Sequence, residues 1–144
     1  MRRVLCCLLL MLAVWVPGAA QADAGPAERV RELRFAPGHT SVTVRDSVVR
    51  GEVHYWRFTA RAGQQASLGV SALEKNAALQ VWRPGAKRPT QPGDDIEGSS
   101  LPGAGADDDA QAWDGALPDS GSYLVVVGAT RGNASYKLTL KISP

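Results

Sequence analysis

Cysteine is scarce in this chain of 144 residues, and both copies, Cys6 and Cys7, fall among its first ten. Downstream of them no disulfide and no thiolate metal site can form, so the rest of the chain must fold on its apolar core alone. Histidine is as rare: His39 and His54 are the only two, and neither has a second histidine at ligand spacing. No serine sits in a G-x-S-x-G setting, no H-E-x-x-H pair is present, and there is no P-loop. These absences argue against hydrolytic, zinc and nucleotide chemistry, and the expectation is a protein that is not an enzyme and carries no cofactor. A contiguous basic surface of the kind nucleic acid requires is missing too.

Long hydrophobic runs are absent with one exception. Leu5 to Val16 is a stretch of twelve apolar residues behind the basic start Met1-Arg2-Arg3, and it is broken by Pro17 and Gly18. Twelve residues are too few to cross a bilayer comfortably, and Ala20-Gln21-Ala22 presents small residues where a signal peptidase reads them. Residues 1–22 are therefore expected to be a signal peptide cut between Ala22 and Asp23. The mature protein is then exported to the periplasm or secreted, with no membrane contact afterwards. Cleavage removes Arg2 and Arg3 and leaves 14 basic against 14 acidic residues. The charges are segregated: residues 23–93 carry 11 basic and 6 acidic groups, residues 94–144 only 3 basic and 8 acidic.

No apolar stripe of helical period extends beyond two turns. "PAERVREL" could form one helical turn within a leader spanning 23–34. From residue 35 onward the pattern has period two. Val42 and Val44 alternate with Thr43 and Arg45. Trp56, Phe58 and Ala60 alternate with Arg57 and Thr59, and Ala66, Leu68 and Val70 continue the series. Tyr123, Val125 and Val127 give one further run, and Tyr136, Leu138, Leu140 and Ile142 another. Such alternation marks strands with one face in a core. Gly, Asn and Asp in "RAGQ", "EKN", "PDSG" and "TRGN" supply the turns between them. The expected fold is all-β: one antiparallel β-sandwich, jelly-roll-like, of seven to eight strands over residues 35–144.

The segment 83–111 departs from this pattern, with four prolines, five glycines and almost no alternation. A loop so long inside a compact domain is uncommon and usually functional or disordered. From Asp94 to Asp114, just past its end, the chain carries seven carboxylates without one cation between them. Calcium takes six to eight oxygen ligands, but the spacing is not that of an EF-hand, and a solvated, self-repelling loop is the plainer account. A third account is a landing surface for a basic protein, with Asp107, Asp108 and Asp109 as contacts, where charge complementarity speeds association. Trp56 is expected in the core, Trp82 on the outer side of its strand, and Trp113 at the start of the strand after the acidic loop. "NAS" at 133–135 reads as a turn entering a strand.

The ordered landmarks "RFAPGHTSVTV", "GEVHYWRFTARAGQ" and "LPDSGSYLVVVGATRGNASYKLTLKI" resemble two related bacterial groups. One is the pre-peptidase C-terminal domain. The other is the free-standing periplasmic inhibitor of g-type lysozyme. The resemblance runs from about Leu33 to Ile142 and implies a β-sandwich. The inhibitor family implies a partner, a g-type lysozyme or another cell-wall-directed protein, and loops at one end of the sandwich that block its active-site cleft. It also implies a basic contact after the S-G-x-Y strand, here Arg131 in "GATRGN", with Asn133 supporting the tip. The pre-peptidase likeness implies instead a module that holds cell-wall polysaccharide or calcium. Core and turn chemistry explain most of the shared residues in either case, but no turn requires the arginine.

Overall fold

The computed structural model describes residues 29–91 and 93–144; the expected signal peptide and its cleavage point at Ala22 and Asp23 lie outside them. Eight strands follow one another: β1 (Val30–Glu32), β2 (Ser41–Val48), β3 (Val53–Ala60), β4 (Gln65–Ala72), β5 (Ala77–Trp82), β6 (Ala112–Ala116), β7 (Gly121–Ala129) and β8 (Ala134–Ser143). They build two four-stranded sheets, ordered β1-β3-β7-β5 and β2-β8-β4-β6. From β2 to β8 each strand lies in the sheet opposite its predecessor, so both sheets are stitched together at both ends. The expected all-β sandwich is present, and among the described residues there is no helix.

Alternation places the core. Trp56 and Phe58 on β3, Leu68 and Val70 on β4, Leu79 and Val81 on β5, Tyr123, Val125 and Val127 on β7 and Leu138 and Leu140 on β8 are all buried between the sheets. Phe58 and Tyr123 are direct cross-strand partners and stack with centroids 5.2 Å apart. Burying each such side chain contributes roughly 1.5–3 kcal/mol.

Two features differ from the sequence expectations. The turn of helix entertained for "PAERVREL" is not formed where that segment is described: Val30–Glu32 is strand β1, paired in parallel with β3. Extended pairing wins because it covers the flank of β3 and lets Arg31 reach across the sandwich. The segment 83–111 is also more than a solvated loop. It runs along the free edge of β5, where a further strand would otherwise pair. Leu101 N donates to Val81 O, Val81 N to Ala104 O and Leu79 N to Ala110 O. These bonds satisfy edge groups that would otherwise invite a second chain. Leu101 and Ala104 enter the core, at 1% and 0% exposure. Earlier in the segment, Lys87 and Glu97 exchange backbone bonds, forming a flap that covers the outer face of the β1-β3-β7-β5 sheet. Trp82 does point outward, as alternation requires, but beneath this flap it joins Leu124 and Val126 in a second apolar cluster with Ile96 and Ala86 packed on it.

Candidate functional site

The two ends of the sandwich are built differently. At one end the β3–β4 turn and the β6–β7 turn interlock. Gly63 N donates to Leu117 O, Leu117 N to Gln64 O, and Ala62 N to Ser120 Oγ. The Tyr123 hydroxyl accepts from Asp119 N and donates to Asp119 O, a tyrosine clamp on the corner four residues upstream. Arg83 Nε donates to Asp119 Oδ2 at 2.6 Å. The landmarks "RAGQ" and "LPDSGSY" therefore account for one another as structure.

At the other end lie three short connections: Val49–Glu52, Leu73–Asn76 and Thr130–Asn133. Asn76, 3% exposed, binds them together. Its carbonyl accepts from Thr130 N, and its Nδ2 donates to Arg131 O at 3.1 Å and to Asn133 O at 2.9 Å. Asn133 Oδ1 accepts from Arg50 N at 2.9 Å, tying the β7–β8 tip to the β2–β3 turn. Arg131 Nη2 donates to Glu74 O at 2.7 Å. A guanidinium has five N–H donors, so this bond orients the exposed group and leaves others for an incoming acceptor. In the connections of the same end Leu73 is fully exposed, and Val49 is half exposed.

The acidic residues divide. Asp108 Oδ2 accepts from Gly105 N at 2.6 Å, which closes its own loop. Asp109 adopts a left-handed backbone, φ 44°, turning the chain toward Gln111, whose Nε2 donates to Lys75 O at 3.1 Å. The end of the acidic segment and the Arg131 side chain thus both rest on the Leu73–Asn76 connection. Asp107 faces elsewhere, lining a groove with Asp94 and Asp95 on the outer face of the sheet. Among the described residues no three His, Cys, Asp or Glu side chains converge as a metal site.

Just below the Arg131 end a polar network crosses between the sheets. Arg31 pairs with Asp46, and its guanidinium lies 4.1 Å from the centre of the Trp56 ring. Trp56 Nε1 donates to the Tyr136 hydroxyl at 3.0 Å, leaving the hydroxyl hydrogen for His54 Nδ1 at 2.8 Å. Burial holds His54 below its ordinary pKa against the pull of Asp46, so it is neutral with Nδ1 accepting. Burial likewise pushes the Tyr136 phenol up to about 12. Partial burial alone would raise the Asp46 carboxyl, but the Arg31 hydrogen bond, the Ser47 amide, the charge of Arg31 and, in acid where it protonates, that of His54 together leave it lowered. Sequence patterning placed His54 on a strand but not its partners, which come from β1, β2 and β8. Leu73 carried a visible signal: an apolar residue beside the charged turn "EKN".

The chain matches no family model and no curated protein. Solved structures do match. A periplasmic inhibitor of g-type lysozyme from Aeromonas hydrophila aligns with TM-score 0.60 and 24% identity, covering 79% of this chain and 96% of that one. The fold is that of the g-type lysozyme inhibitors. The inhibitor from Salmonella Typhimurium aligns with TM-score 0.57 and 19% identity over 80% of this chain and 98% of that one. A mutant of the Escherichia coli inhibitor aligns with TM-score 0.56 and 21% identity over 79% and 97%. At these identities the inhibitor likeness carries architecture, and function rests on what the two ends of the sandwich offer.

Proposed function

We propose that this protein is an exported, non-enzymatic inhibitor of g-type lysozyme, working in the periplasm and docking through the end that bears Arg131. The observation that carries the proposal is the Arg131 end itself, an exposed guanidinium oriented by Glu74 O with Leu73 and Val49 exposed on the same end, on a sandwich that spans 96–98% of the inhibitor chains it aligns with. The Arg131 end supplies chemistry that suits the task. Glycoside hydrolases work with a pair of carboxyl groups across the scissile bond. A guanidinium held by Glu74 O can meet one of them in a bidentate pair, while Leu73 and Val49 offer apolar contact around it. Asn133 and Asn76 hold the tip in place, so little ordering cost remains to be met on binding. Asp108 and Asp109 place negative charge near the end of the segment that rests on Lys75 through Gln111, and Asp107, turned toward the outer face, adds to the field only at longer range; this charge would steer a basic partner.

The test is a cell-wall lysis assay with purified g-type and c-type lysozymes. Inhibition of the g-type enzyme is expected. Arg131→Ala should weaken it by about tenfold or more, the loss of one charge-assisted contact, with the melting temperature unchanged. Arg61→Glu, in a turn at the opposite end, should leave inhibition intact. No inhibition at micromolar protein ends the proposal. Inhibition sensitive to Arg61→Glu and indifferent to Arg131→Ala would move the docking surface to the other end.

A further inference from the structure

The groove on the outer face of the β1-β3-β7-β5 sheet lies along the flank of the sandwich and only touches the Arg131 end, at Gly51 and Glu52. It holds about 1100 Å³, far more than an ion needs and above the roughly 300–1,000 Å³ of small-molecule pockets. Its floor is apolar and aromatic: Val53, Tyr55 and Ile96 are half buried over the Trp82 and Val126 cluster. Its rim is acidic. Glu52, Asp94, Asp95 and Asp107 line it, and among the described residues Arg88 is the one cation beside them. None of these four carboxylates is in an ion pair among the described residues. They come from three separate places in the chain, and the fold of the 83–111 segment brings them around one trough. Arg88 shows what the floor accepts, since its guanidinium lies over the Tyr55 ring at 5.8 Å, a cation–π contact.

We propose that this groove docks an extended segment of a partner protein in which Lys or Arg alternates with apolar residues. Charge complementarity selects the cations, and the apolar floor between the carboxylates selects a chain with apolar side chains over a free polyamine. Nucleic acid is repelled by the same rim. One end of the groove reaches Gly51 and Glu52, next to Arg50, whose amide bonds Asn133. A segment lying in it therefore runs toward the Arg131 end. The inference does not require that the partner be a lysozyme.

A titration with blocked Arg-Leu-Lys-Val-Arg peptide tests this without lysozyme present. The indole N–H of Trp82, bonded to Gln80 Oε1 at the floor, is the reporter in a proton–nitrogen correlation spectrum, with Trp113 as reference. The Trp82 signal should shift while Trp113 stays, and the affinity should fall as salt is raised to about 0.5 M. The double variant Asp94→Asn, Asp95→Asn should bind about tenfold more weakly, with an unchanged melting temperature. Glu52→Gln serves in its place should that variant fold poorly. Binding that persists in Arg131→Ala supports a groove site separate from the tip. The proposal is overturned by an unmoved Trp82 signal at millimolar peptide or by an equal response to a peptide with Gln in place of the basic residues. It is overturned equally by undiminished binding in the Asp94/Asp95 variant, or by loss of binding in Arg131→Ala.

Discussion

The end built from "RAGQ" and "LPDSGSY" is closed on itself, whereas the end built around Asn76 presents what it holds. At the first, backbone groups of Gly63, Leu117, Ala62 and Asp119 are all taken by partners within the turns, and Leu117 and Tyr123 are buried beneath them. At the second, one buried asparagine organises loops whose side chains stay outside. The residues that carry the likeness to known families thus sit mostly where the fold is locked. Arg131 sits where it is displayed. A likeness resting on the locked end speaks for architecture, which is why function must be tested at the displayed one.

The sharpest way to break this contrast is at Gly121. Its backbone, at φ +141°, lies where side chains are strained, and an added Cβ would stand 2.9 Å from Pro84 Cβ. Pro84 opens the segment that returns along β5, so it cannot retreat without pulling on the edge of the sheet. Gly121→Ala should cost roughly 2–4 kcal/mol from backbone strain and overpacking together, read as a fall in the urea midpoint. A loss below about 0.5 kcal/mol, the range of an ordinary surface change, would mean the closed end is not a locked one.

Asn76→Ala tests the displayed end and should do less to stability and more to function. It removes two hydrogen bonds to Arg131 O and Asn133 O, but those carbonyls lie in exposed residues and water can replace the donor. The expected cost is about 1–2 kcal/mol. Inhibition should fall further than that loss predicts, because the tip is no longer ordered before docking. Equal inhibition by the variant and the parent would show that the clasp is only structural.

These residues also mark how far a sequence can be read. On β8 the buried set Ala134, Tyr136, Leu138 and Leu140 alternates with exposed or half-buried neighbours, and period two locates the core directly. On β7 five consecutive residues from Tyr123 to Val127 are buried. Period two correctly assigns three of them to the space between the sheets, but Leu124 and Val126 are covered by the flap, and no local pattern announces a cover made by residues some thirty positions earlier. Arg131 was legible because the turn did not need it. Its clasp by Asn76 was not, since the partners are 55 and 57 positions apart. The acidic stretch was visible as charge, while the floor beneath part of it comes from Tyr55 on β3, Trp82 on β5 and Val126 on β7. Local alternation encodes which face is buried; contacts between distant segments decide what covers it.

The smallest expected effect concerns the network under the displayed end. The closed end has its own cluster of Arg83, Asp119 and Tyr123, but no histidine takes part in it, so the response to mild acid is expected from the network of the displayed end. In the unfolded chain His54 takes a proton near its ordinary 6.5, while in the fold burial resists protonation, with Arg31 opposing it and Asp46 and Glu52 only partly compensating. The unfolded state then binds more protons as the pH falls below 6.5, so stability is whole above that value and declines through the window beneath it. Asp46 behaves as a lowered carboxyl: its contribution is whole above its ordinary 3.8 and is lost only in stronger acid. The two windows open at different values, 6.5 for His54 and 3.8 for Asp46, which makes the assignment testable. Between pH 7 and pH 5, at roughly one group's worth of slope, the urea midpoint should drift downward in the parent protein. In His54→Asn, whose amide oxygen can still accept from Tyr136, it should stay level. An identical drift in both proteins would assign the acid response to another group and leave the network as packing alone.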